Sequence, residues 1–126
     1  MKKLTLLILL IVLSFQTISS QEQNERNLIT SGKWHIEYVE MDGQKMDYST
    51  EMQENNWIIF HRDGKYEGMF GNKRIGHWEL GKEGKIIEIN EQNQKSEQKL
   101  ISVSKNELII STEDEEGVVI ILGMRK

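Results

Sequence analysis

From Trp34 to Met124 the chain is a succession of short apolar-rich runs broken by turn residues every ten or so positions. That rhythm constrains the fold more than any other feature. A surface helix needs an apolar stripe of 3.6-residue period, and no window here sustains one, although Tyr48 to Asn55 could wind a short helical turn. Regularly spaced runs with turn chemistry between them predict an antiparallel all-β sandwich or barrel. Eight strands are expected: Lys33–Met41, Asn56–His61, Lys65–Phe70, Arg74–Leu80, Lys85–Asn90, Gln98–Val103, Glu107–Thr112 and Val118–Met124. Asp63-Gly64, Gly71-Asn72, Gly81 to Gly84, Lys105-Asn106 and Asp114 to Gly117 supply the turns. Short connections favour sequential neighbours in an up-and-down meander. Two are longer: Asp42 to Asn55, and the uniformly polar Glu91 to Glu97.

One hairpin can be read in register. A two-residue Asp63-Gly64 loop would set Phe60 opposite Glu67 and mix apolar with charged side chains on both faces, which is unfavourable in a half-buried sheet. A three-residue loop, Arg62-Asp63-Gly64 with Gly64 left-handed in a bulge, pairs Phe60 with Tyr66, Ile58 with Gly68 and His61 with Lys65. Ile58, Phe60, Tyr66 and Phe70 then face inward, and His61, Lys65 and Glu67 outward. The same alternation places Trp34, Ile36, Tyr38, Trp78 and Leu80 inside. It does the same for Ile87, Ile89, Ile101, Val103, Leu108 and Ile110. Val118 to Leu122 is apolar on both faces and does not declare its phase.

The N-terminus has a different character. Lys2 and Lys3 precede an apolar run from Leu4 to Leu13, and Ser19 and Ser20 follow as small residues. This is the layout of a cleavable export signal over residues 1–20. As a helix the run rises only about 15 Å, half of a roughly 30 Å hydrocarbon core, so no membrane span is expected once it is removed. Residues 21–27 are polar and aperiodic and read as a flexible lead-in, leaving one domain over residues 28–126. Beyond the signal stand fourteen basic and twenty acidic side chains, a net charge of −6. A surface without a basic stripe makes nucleic acid an unexpected partner. No cysteine is present. That excludes disulfides, thiolate catalysis and lipid attachment, and predicts a soluble product in the periplasm or medium.

At Gly32-Lys33-Trp34, opening the first strand, the chain resembles the lipocalins, whose first strand begins Gly-x-Trp. It is similar in particular to small secreted bacterial lipocalin-like domains. The further motifs are Phe60 to Tyr66 (FHRDGKY), Gly76-His77-Trp78 and Leu108-Ile109-Ile110. The resemblance implies an eight-stranded antiparallel up-and-down β-barrel. It also implies that Gly32, Trp34 and Arg125 close the barrel, with Arg125 over the Trp34 indole, and that a small hydrophobic ligand is bound inside.

Read from the residues alone, the aromatic set leaves two possibilities open. Tyr38, Phe60, Tyr66, Phe70 and Trp78 could line an apolar ligand cup, or they could simply fill the barrel. In the second case the chain would be a solid interaction protein that meets a protein partner through its loops. Met41, Met46, Met52 and Trp57 would then be a contact rather than a lid. His35, His61 and His77 fall on outward positions of different strands, so no metal site is expected. No serine or threonine sits in a nucleophile motif, and Asp114, Glu115 and Glu116 belong to an exposed turn. No catalytic residue and no cofactor are expected.

Overall fold

The computed structural model describes residues 22–126. The expected export signal lies outside the described residues. The strands are β1 (Lys33–Met41), β2 (Gln44–Asp47), β3 (Asn56–Phe60), β4 (Lys65–Phe70), β5 (Asn72–Leu80), β6 (Lys85–Asn90), β7 (Lys95–Val103), β8 (Glu107–Glu113) and β9 (Val119–Arg125). Helix α1 covers residues 22–29, and α2 is Thr50–Asn55, capped by the Ser49 hydroxyl, which accepts from the Met52 amide at 3.2 Å. All strand pairs are antiparallel, and β3 to β9 follow one another in sequence order. Because β1 also pairs with β9, the sheet closes into an eight-stranded up-and-down barrel with β2 appended. Closure removes the exposed edges that an open meander would present.

The β3–β4 hairpin has the expected register: Phe60 faces Tyr66 and Ile58 faces Gly68. The His61 amide donates to the Lys65 carbonyl at 2.8 Å, and Gly64 is left-handed at φ 92°. β2 was not expected; it sits inside the Asp42 to Asn55 connection. Asp42 (φ 51°) and Gly43 (φ 76°) both adopt the left-handed region, as a two-residue type I′ turn requires, and so fold β2 back onto β1.

Residues 22–27 form part of α1 rather than a flexible lead-in. The helix lies across one end of the barrel and is held there by its contacts. Ile29 is wholly buried, the Trp34 indole N–H donates to its carbonyl at 2.9 Å, and the Arg26 guanidinium stacks 4.8 Å from the Trp78 ring centroid. Arg26 also donates to the Arg62 carbonyl at 2.8 Å. A polar segment with little helical periodicity of its own is thus ordered by what it covers.

Two bulges and one misjudged strand account for the inward residues that differ from expectation. In β1 the register against β9 shifts between Ile36 and Tyr38, so Val39 packs against the core and Tyr38 turns outward over Gly123. In β7 it shifts between Leu100 and Ser102, so Leu100 and Val103 both pack inward and Ile101 is exposed. In β6 the buried residue is Ile86, which turns Ile87 and Ile89 outward and Glu88 inward. β9 settles its phase by burying Met124 and packing Leu122 on the core.

Candidate functional site

The barrel is divided along its axis. At the end covered by α1, Trp34, Phe60, Trp78, Ile86 and Leu108 form a packed layer. Phe60 meets Trp78 edge to face, with centroids 5.1 Å apart and planes at 62°. The Trp78 indole donates to the His61 carbonyl at 2.8 Å. Beyond this layer, toward the Glu91–Gln94 turn, lies a cavity of about 830 Å³. That volume is within the range of small-molecule pockets.

The cavity wall is itself divided. Ile110 on β8, Leu122 and Met124 on β9, Ile36 on β1 and Ile58 on β3 make a contiguous aliphatic arc. Tyr66 and Phe70 on β4 mark its border. The opposite arc, from β5 to β7, presents Arg74, Glu88, Asn90, Ser96 and Gln98. Gly76 makes part of this arrangement possible: a Cβ there would collide with the Ile89 carbonyl oxygen and lie 2.8 Å from Tyr66 Cε1. Only a glycine lets the tyrosine ring lie across β5 in this way.

Glu88 is the chemically distinctive group. Burial pushes its carboxyl up to about 7, against the lowering pull of a Gln98 hydrogen bond and of Arg74. Gln98 Nε2 donates to Glu88 Oε2 at 3.2 Å, while Gln98 Oε1 is buried without a partner. Tyr66 is also raised, first by burial and then by the nearby Glu88, with Arg74 opposing. The site can therefore bury hydrocarbon on one side and exchange hydrogen bonds on the other.

The residues singled out from the sequence fall in three places. Tyr66 and Phe70 line the cavity. Phe60 and Trp78 belong to the packed layer beneath it. Tyr38 is on the outer face, with Lys45 Nζ 4.3 Å from its ring centroid. The closure residues need one correction. Lys126, rather than Arg125, holds its Nζ 5.3 Å from the Trp34 centroid, with Gly32 beneath its side chain. Alternation explains the exchange: Met124 points inward, so Arg125 points outward and pairs with Glu37 at 3.1 Å. Met41, Met46 and Met52 are exposed and none lines the cavity, and Trp57 sits under Lys33. His35 Nδ1 lies 2.7 Å from the Gln53 carbonyl, and His61 faces Glu67 at 3.3 Å. Glu88 and Gln98 were missed. The one signal for them was that Ile86, Glu88 and Asn90 alternate as regularly as Ile87 and Ile89 do.

No known family model matches the sequence, and no curated protein matches it either. Among solved structures, the chain is similar to a lipocalin-like protein from Bacteroides uniformis ATCC 8492, at a TM-score of 0.58 and 16% identity, over 78% of this chain and 98% of that one. At that identity the likeness concerns backbone architecture, and it agrees with the closed eight-strand meander. The chain has the lipocalin-like fold.

Proposed function

We propose that this chain is an exported binding protein that holds a small, largely apolar molecule in the hollow half of its barrel. The observation that carries the reading is the cavity of about 830 Å³ backed by the Ile36, Ile58, Ile110, Leu122 and Met124 arc. Apolar area brought onto such a surface gains roughly 25 cal/mol per Å², and a preformed cup spares most of the ordering cost. A solid barrel acting only through its loops predicts no such volume, which weighs against the interaction-protein alternative.

Diphenylhexatriene, a hydrocarbon that fluoresces when shielded from water, should bind saturably with one site per chain. Leu122→Trp should fill part of the cup and weaken that binding while leaving the β signature in circular dichroism unchanged. If the wild-type protein takes up no such probe, the carrier reading fails. Export is tested separately by the intact mass of the host product, expected to begin at Ser20 or Gln21. A product found in the membrane fraction with its first nineteen residues attached would overturn that part.

A further inference from the structure

The division of the cavity wall carries more information than its volume. Apart from Thr112 on β8, the strands β8, β9, β1, β3 and β4 present aliphatic or aromatic side chains, and apart from Ile75 on β5, the remaining three present polar ones. The deepest charged group of the polar arc, Glu88, is an acceptor when ionised. Gln98 Nε2 is engaged with Glu88 Oε2, and Gln98 Oε1 is a buried acceptor with no donor. The Glu88 carboxylate adds further acceptor positions beside it.

Of the cations of this wall, Arg74 acts on Glu88 only as the smallest of its influences. The Arg74 guanidinium is exposed and stacks 5.6 Å from the Phe70 centroid. Lys95 pairs with Glu97 at 3.6 Å, and Lys73 is exposed. These groups stand at the rim, where water screens them, while Glu88 and Gln98 stand deeper.

We infer that the ligand has two unlike faces: a hydrocarbon face that lies on the isoleucine arc, and a face bearing a hydroxyl or amino donor that reaches the Glu88 carboxylate. This rests on the carrier reading above and narrows it. A carboxylate in the same place would bring lone pairs against lone pairs. A pure hydrocarbon would offer the Glu88 carboxylate no donor. The barrel selects for a donor, in addition to grease.

The test is displacement of diphenylhexatriene by dodecylamine, dodecanol and dodecanoate, each below its micelle concentration. The pH is 8, where Glu88, raised to about 7, is mostly ionised. Wild-type protein should bind dodecylamine about tenfold more tightly than dodecanoate, the scale of one hydrogen bond to a charged group, with dodecanol between them. Glu88→Gln keeps the shape of the wall and removes its charge, and should bring the amine and the carboxylate to within about twofold of each other. Dodecanoate binding as tightly as dodecylamine to the wild type would overturn the inference. So would an amine preference that survives Glu88→Gln intact, because it would then arise from the net acidity of the surface. Failure to bind diphenylhexatriene at all would instead remove the carrier reading on which the inference stands.

Discussion

The two halves of this barrel are built from the same strands yet follow different rules. In the half under α1, side chains meet across the axis: Trp34, Phe60, Ile86 and Leu108 are wholly buried. In the other half β5 to β7 line the cavity with Arg74, Glu88, Ser96 and Gln98. The difference teaches that one half supplies the packing and thereby frees the other from having to. A buried carboxyl with an elevated pKa is tolerable only where neighbouring layers already hold the fold.

That contrast can be broken by matched truncation. Phe60→Ala, in the packed layer, should destabilise by about 3–5 kcal/mol, whereas Phe70→Ala, on the cavity border, should cost about 1–2 kcal/mol because its site is already partly empty. Urea midpoints at unchanged m-value would measure both. Equal losses would mean that the hollow half contributes to the core as much as the solid one.

A second measurement sharpens the contrast through pH. The folded-state pKa of Glu88, about 7, lies above its ordinary value of 4.5. The folded chain therefore binds the extra proton between those values, and stability falls as pH rises from 4.5 to 7. The loss is at most on the order of 3 kcal/mol, and less with the solvent that reaches the cavity. Glu88→Gln should flatten this dependence, gaining stability at pH 8 and almost none at pH 4.5. Identical pH profiles for the two proteins would show that the carboxyl is as well solvated as a surface one.

The smallest expected effect concerns the seam. Lys126→Ala should lower stability by about 0.5–1 kcal/mol through loss of its cation–π contact with Trp34. Arg125→Ala, which breaks a surface ion pair with Glu37, should change it by a few tenths at most. Coincident denaturation curves for Lys126→Ala and wild type would remove any role for the contact.

Much of the architecture was legible because alternation and turn chemistry agreed. The Arg62-Asp63-Gly64 loop could be chosen from the pairing of Phe60 with Tyr66 alone. β2 was missed although Asp42-Gly43 is a strong hairpin signal, because Gln44 to Asp47 has no buried residue to mark it as a strand. The register shifts beside Tyr38 and Ile101 could not be read, since a bulge changes phase without changing composition. The site was the least legible part. In Ile86-Ile87-Glu88-Ile89, sending the charged residue outward is the sound default, and it fails where an inward position faces a void instead of a core. α1 was hidden for a related reason: Arg26 and Ile29 matter for what they touch, which no local pattern reports.

The pairing of β1 with β9 also sets an order in time. Ile36 finds Met124, and Val39 finds Leu122, only after every intervening strand has been delivered. The other barrel pairings join neighbours in sequence, so this closure carries the largest loop-closing cost. Until the last strand arrives, β1 and β8 each present an unpaired row of amides and carbonyls to any other chain nearby. A product truncated before Val119 would keep both rows open permanently, and its fate would be self-association rather than a weaker barrel.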